Sequence, residues 1–186
     1  MAHPLSSTKF TYEDYLLFPS DGNRHELIDG EHFMTPSPIT KHQKISRNLL
    51  GALYMFTQQK KCGHLFAAPM DVVLSDFDVV QPDLLFITNN RASIITEKNI
   101  QGPPDLVIEI LSESSRKTDE MIKRKLYERY RVSEYWIVDP ELESVKIYRF
   151  SDKGYSRIAE LSVETNDMLA SPLLPDWQLP LSHIFA

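Results

Sequence analysis

The sequence predicts an α/β (α+β) protein built on a central mixed β-sheet flanked by helices, with a β-hairpin near the N-terminus and another near the C-terminus. Three observations carry this. The run "DLVIEIL" from 105, the stretch of helical period behind it and "EYWIVD" ending at 139 make a strand–helix–strand unit, the pattern of a crossover packed on a sheet. Asp29-Gly30 and Lys153-Gly154 each separate two strand-like segments, and an Asp-Gly pair supplies the positive φ angles of a tight hairpin. Between those hairpins, Ile45, Leu49, Leu53 and Phe56 recur at helical spacing in a long segment after "TPSPIT".

Taken in order, "TYEDYLLF" opens as a short helix with Thr11 as cap and Asp14 three residues later closing a capping box. "HELIDGEHFM" is a weak strand pair. The long amphipathic helix follows, its second side basic. "APMDVVLSD" and "VVQPDLLFI" read as two strands separated by Asp76-Phe77-Asp78, and "NNRASIITEKNIQGPP" as a polar connection with room for a helical turn. "DLVIEIL" is apolar on both faces, so it is expected centrally with helices above and below. In "SSRKTDEMIKRKLYERYRV" the stripe is Ile122, Leu126 and Tyr130. "SVKIYRF" and "YSRIAEL" form the terminal hairpin, and the proline-rich "SPLLPDWQLPLSHIF" is expected to lie across the domain, anchored by Trp177. Tyr135 and Trp136 read as core aromatics. No internal repeat is present.

At 186 residues the chain has the size of one domain over 1–186, with a core over about 10–150 and the hairpin and tail over 151–186. No apolar stretch approaches the ~18 residues of a membrane span. "MAHPLSSTKFTYEDY" shows neither a basic leader nor the apolar run of a secretory signal, so a cytoplasmic location is the expectation. Cys62 is the only cysteine, which excludes an internal disulfide and a zinc site of several thiolates; it reads as a small buried hydrophobe. The net charge of −6 opposes the basic footprint of a tight DNA binder. Its distribution softens that objection. Residues 40–61 carry +5 with no acid and residues 113–131 carry +3, leaving −14 for the remainder, so a basic face for phosphate is available.

Glu109 sits inside the apolar run "PDLVIEILSESS", and Asp83 lies 26 residues earlier in "VVQPDLLFI". Burying an unpartnered carboxylate costs several kcal/mol. Two such acids on adjacent strands can share a hard divalent cation; alternatively each caps a strand end or pairs with an arginine. Asp105 repeats the Pro-Asp dipeptide, but four residues of strand hold it about 13 Å from Glu109, too far for one ion.

"ELIDGE", His42 opening a long helix, "QPDLLF", "PDLVIEILS", Asp119, Lys123 and Tyr127 at four-residue steps, and "EYWIVDPE" together resemble the Uma-two family of the restriction-endonuclease-like PD-(D/E)XK superfamily. The likeness runs in order over about residues 10–150, and the tail is also similar. It implies a restriction-endonuclease-like core, a Mg²⁺ (or Mn²⁺) site with Asp83 and Glu109 as ligands, and Glu26 as an additional acid. One departure matters: the superfamily lysine, two residues after the Glu, is here Leu111. The base that the resemblance supplies instead is Lys123, whose long stem suits relocation; the alternative for Lys123 is an ordinary i,i+4 ion pair with Asp119.

The expected activity is metal-dependent hydrolysis of DNA phosphodiester bonds, with Asp83, Glu109, Lys123 and Glu26 catalytic. His42, Lys44, Arg47 and Tyr127 are candidate substrate contacts, against packing or capping roles for His42 and packing for Tyr127. A homodimer would let such an enzyme cut both strands. Two other functions stay open: a silent binding or assembly module that kept the fold, which Leu111 and the acidic total favour, and a hydrolase of small phosphorylated compounds.

Overall fold

At Asp29 and Gly30 the chain turns with φ of 53° and 75°, and the expected hairpin forms between β1 (Arg24–Ile28) and β2 (Glu31–Thr35). The structure is a computed structural model that describes residues 9–186. Of the stretch at 1–15 that bears on a signal sequence, residues 1–8 lie outside the described residues. Before the hairpin, α1 (Tyr12–Tyr15) carries the capping box of Thr11 and Asp14 in full. After it, α2 (Thr40–Lys60) buries Ile45, Leu49 and Leu53, the stripe expected of it.

β3 (Gly63–Ala67), β4 (Val72–Ser75), β5 (Asp78–Val80) and β6 (Leu84–Thr88) follow, then a 3₁₀ turn at Asn89–Ile94 and the short β7 (Ile100–Gln101). β8 (Leu106–Ile110), a π-helical turn at Thr118–Lys123 continuing into α3 (Arg124–Arg129), and β9 (Glu134–Asp139) form the expected crossover, with β8 and β9 parallel. β10 (Ser144–Ser151) and β11 (Gly154–Ser162) make the second hairpin. β12 (Met168–Ala170), β13 (Gln178–Pro180) and α4 (Leu181–Phe185) complete the chain.

The strands fall into a six-stranded mixed sheet, β11-β10-β9-β8-β6-β3, a five-stranded sheet, β2-β1-β5-β4-β7, and the pair β12-β13. The mixed sheet with flanking helices is therefore present, but accompanied by a second sheet. "VVQPDLLFI" is divided between the two: Val79 and Val80 belong to the smaller sheet, and Leu84 opens β6 in the larger. Pro82 lies between them and has no N–H to continue a ladder. Asp83 accordingly stands at a strand end, not in mid-strand.

β8 is central, as its sequence requires. Leu106, Ile108 and Ile110 point into one core with α2, Trp136 and the tail. Val107 and Leu111 point into the other, with Leu126, Tyr127 and Tyr135. The first face is covered by helices; the second is covered by the smaller sheet together with α3, because Ile28, Val72, Val80 and Ile100 enter that core. Trp177 does anchor the tail, its ring stacked on Trp136 with centroids 6.1 Å apart. Tyr135 and Trp136 are fully buried. No helix among the described residues is long and apolar enough to cross a membrane.

Candidate active site

The ladder between β6 and β8 pairs Leu84 with Ile108, Leu85 with Val107 and Phe86 with Leu106. One more step places Asp83 opposite Glu109, and opposed residues of an antiparallel pair share a face. The two are linked directly: the Asp83 N–H donates to Glu109 Oε2 at 3.4 Å, and the Ile110 N–H donates to Asp83 Oδ2 at 2.8 Å. Glu26 arrives from β1, where its Oε1 accepts from the Gln81 N–H at 2.7 Å. Lys123 arrives from the π-helical turn. Its ammonium lies 2.9 Å from Glu26, 3.0 Å from Glu109 and 3.6 Å from Asp119, so it bridges three of the buried acids. Leu111, two residues after Glu109, is a core side chain.

These groups form the floor of a cavity of about 770 Å³. One wall is the segment 35–39 with the start of α2, and the other is 112–116 with Pro140 and Glu141. Asp83 is held by Arg24 at 2.7 Å and by His42 Nε2 at 3.1 Å. Burial works to raise its pKa, but His42, Arg24 and the Ile110 N–H outweigh burial and hold it at about 2. Glu109 goes the other way. Burial pushes it up to about 8 despite Lys123, and the neighbouring Asp119, Asp83 and Glu26 add to the rise. Burial likewise lifts Asp119 to about 6 against the pull of Lys123 and Ser115. Burial alone would lower the Lys123 pKa, yet Glu109, Glu26 and Asp119 raise it well above its ordinary value.

Four buried carboxylates (Glu26, Asp83, Glu109, Asp119) thus face two cations (Arg24, Lys123). Counting His42 as uncharged, the formal surplus is −2. Asp119 Oδ1, a buried oxygen on this floor, has no hydrogen-bond partner. Among the described residues no three His, Cys, Asp or Glu side chains stand as a ready ligand cage, and the Lys123 ammonium lies against Glu26, Glu109 and Asp119. In charge and in hard oxygen donors the floor nevertheless fits Mg²⁺ or Mn²⁺.

The structure brings Glu26, Asp83, Glu109, Lys123 and His42 together on one floor. Tyr127 is not in the cavity lining; it is fully buried behind the floor, and its hydroxyl donates to Glu109 Oε1 at 2.9 Å. Lys44 and Arg47 are exposed on α2 away from the cavity, Arg47 donating to Asn48. Asp105 has the dull role: it accepts from Thr88 and pairs with Arg91. Two members escape sequence reasoning. Arg24 lies two residues before Glu26 on the same strand, and the period of two that puts both on one face was a usable signal. Asp119 looks in sequence like half of a solvated helical ion pair.

An aspartate and a glutamate stand opposed at the end of an antiparallel strand pair with a lysine against them under a crossover, which is the arrangement that the resemblance to restriction-endonuclease-like proteins led us to expect. The fold agrees. A crystal structure from Anabaena variabilis, described as "a putative nuclease belonging to DUF820", matches with a TM-score of 0.79 at 19% identity, covering 95% of this chain and 97% of that one. The type IIG restriction endonuclease BpuSI matches with a TM-score of 0.41 at 13% identity, over 77% of this chain and 15% of that one. No curated protein matches the chain. The family match spans residues 12–182: the chain belongs to the Uma2 family, described as "Putative restriction endonuclease".

Proposed function

We propose that the protein is a Mg²⁺- or Mn²⁺-dependent endonuclease that hydrolyses DNA phosphodiester bonds. The observation that carries the reading is the buried floor of four carboxylates, three of them on Lys123 and the fourth, Asp83, on Arg24 and His42. Asp83, Glu109 and Glu26 are the side chains that would hold the ion. When bound, such an ion acidifies a water and polarises a phosphate oxygen.

The chain's own groups supply the rest. Lys123 stays protonated, since its acids raise its pKa well above the ordinary value; it therefore orients the nucleophile and offsets developing negative charge, and does not act as the base. Asp119, lifted by burial to about 6, has the basicity to take a proton near neutral pH, its Oδ1 making no hydrogen bond and lying 3.6 Å from the Lys123 ammonium. Arg24 and His42 fix the rotamer of Asp83, and Tyr127 fixes that of Glu109. A cytoplasmic setting and pairing of two copies to cut both strands belong to the same reading.

The test is purified protein on supercoiled plasmid with Mn²⁺ or Mg²⁺, beside Glu109→Ala and Lys123→Ala. Nicking by the wild type alone is the expected result; equal nicking by all three means a contaminant. The cavity's 770 Å³ also lies within the range of small-ligand pockets, which favours a hydrolase of small phosphorylated compounds as the second reading. Turnover of a phosphodiester dinucleotide with intact plasmid would select it.

A further inference from the structure

α2 buries Ile45, Leu49 and Leu53 on one side. On the opposite side Lys44, Arg47, Gly51, Tyr54, Met55 and Gln58 follow at three- and four-residue steps, all exposed. Segment 40–61 holds five bases and no acid, whereas a helix face that only meets water commonly carries both signs at i,i+4. Lys41 and Lys60 have exposed partners, Glu141 and Asp176. Among the described residues Lys44 and Arg47 have no carboxylate at ion-pair distance, and Arg47 donates only to the Asn48 side chain. One turn apart, these two cations repel each other and weaken the helix unless an anion meets them.

A second observation is independent of charge. Gly51 lies in the middle of this 21-residue helix, where glycine is the least favourable residue after proline. Nothing in the chain demands it: its backbone is helical, and a Cβ built there would meet no atom within 4 Å. It bares the helix backbone at the centre of the stripe, one turn after Arg47 and one turn before Tyr54 and Met55, which are 54% and 75% exposed. Such a position suits the close approach of a partner. A third observation joins the stripe to the candidate active site. A cavity of about 220 Å³, lined by Thr40, Lys41, Lys44 and Ile45 with Phe185 and Ala186, shares Lys41 with the wall of the larger one. A path therefore runs from the carboxylate floor past Lys41 and Lys44 to Arg47, Gly51 and Tyr54.

We infer that the outer face of α2 is a docking surface for a nucleic-acid backbone, outside the larger cavity. Lys44 and Arg47 take phosphates of the strand that leads away from the floor, Gly51 lets that strand lie close on the helix, and the Tyr54 hydroxyl meets sugar or phosphate. The surface deepens the nuclease reading and rests on it for the identity of the polyanion. Tyr54 and Met55 are too little apolar surface to bury a helix face in lipid, which favours nucleic acid over an anionic membrane. The contact also explains how an acidic protein can hold DNA: the polymer is met on one acid-free helix, and the acidic remainder turns it away elsewhere.

Two full-length variants test the surface without touching the floor: the double substitution Lys44→Gln with Arg47→Gln, and Gly51→Gln. Glutamine is a good helix former and neither variant removes a core contact, so the melting temperature should hold or rise. In EDTA, a fluorescent duplex of about 16 base pairs is titrated by anisotropy between about 50 and 200 mM salt. The wild type should bind saturably. The double variant should bind at least about tenfold more weakly at the lower salt, with a salt slope smaller by about 2, one for each lost phosphate contact. Gly51→Gln should lose about tenfold with the slope unchanged, because it removes no charge and blocks the approach. A wild type that ignores the duplex, or variants that bind it as the wild type does, overturns the surface. Co-sedimentation with phosphatidylserine vesicles, or a dimer broken by Gly51→Gln, together with duplex binding that none of these residues affects, overturns the assignment to nucleic acid. Duplex binding that needs Lys44, Arg47 and Gly51 in a protein that never nicks plasmid with Mn²⁺ leaves the surface standing and removes the nuclease reading; nicking with binding that ignores all three does the reverse.

Discussion

Replacing Glu109 with glutamine should make the metal-free protein more stable at pH 8 while abolishing plasmid nicking. Glu109 is 2% exposed, and its carboxyl is raised from 4.5 to about 8, first by burial and then by Asp119, Asp83 and Glu26. Below pH 4.5 the group is protonated folded or unfolded and contributes nothing. Between 4.5 and about 8 the folded state keeps a proton that the unfolded chain has released, so stability falls as pH rises; above that window the whole cost is present. At ~1.4 kcal/mol per tenfold change in acidity, the ceiling is about 5 kcal/mol. Glutamine keeps the shape and an Oε1 for Lys123 and Tyr127, at 3.0 and 2.9 Å in the wild type, but loses charge assistance worth about 1–3 kcal/mol. Lys123 is not stranded, because Glu26 and Asp119 remain beside it. The net gain is therefore about 2–4 kcal/mol at pH 8, or roughly 4–16 °C in Tm for a chain of this size. Thermal unfolding in EDTA from pH 4.5 to 8.5 checks it, and the gain should vanish at the acid end. A variant less stable than the wild type throughout, by the same margin at pH 5 and pH 8, would refute the reasoning, since Glu109 would then be a net stabilising partner of Lys123 and not a surplus charge.

Lys123→Met should lose nicking and destabilise the metal-free protein at pH 8 by about 3–5 kcal/mol, because three buried carboxylates lose their common cation; lowering the pH to 5, or adding Mn²⁺, should recover part of the loss in a thermal scan. Arg24→Gln deepens the formal surplus on the floor from −2 to −3 and frees Asp83 Oδ1, so calorimetric Mn²⁺ affinity should rise while turnover falls as Asp83 loses its hold. Trp177→Ala empties the stack on Trp136 and should cost about 3–5 kcal/mol, read as a lower Tm, with nicking at 20 °C retained because the tail lies on the face of β8 opposite to Glu109.

What could be read from sequence was what repeats. The two hairpins, α2 and the crossover from β8 to β9 each span several periods of a single pattern, and each appears where that pattern puts it. β3 escaped because "GHLFA" is an edge strand, only partly buried, without a clean alternation. β12, β13 and α4 are three to five residues long, shorter than any period can mark. The acids of the floor were legible as acids in apolar runs; that Glu26 should join them came from resemblance, since nothing local distinguishes it from a surface glutamate. The helix after β8 was legible only in part. Ile122, Leu126 and Tyr130 do pack on the second core, but the side chains buried most deeply there are Asp119, Lys123, Leu126 and Tyr127, a partly charged stripe that a hydrophobic period cannot find.

That stripe explains how Lys123 reaches Glu109 from outside β8. Leu111 is 2% exposed in the second core, and its N–H donates to the Val138 carbonyl, so the position two residues after Glu109, where the resemblance led us to expect a lysine, is committed to packing. The wide π-helical turn at 118–123 carries Asp119 and Lys123 inward, and α3 behind it delivers the Tyr127 hydroxyl to the same Glu109 oxygen that Lys123 reaches. Leu126 and Tyr127 dock this segment in the core, and the Tyr135 hydroxyl donates to the Asp119 carbonyl. Lysine, acid and tyrosine therefore ride on one docked element. A substitution that loosens its packing disturbs Lys123, Asp119 and the rotamer of Glu109 together, whereas a lysine on β8 itself would have depended on the strand alone.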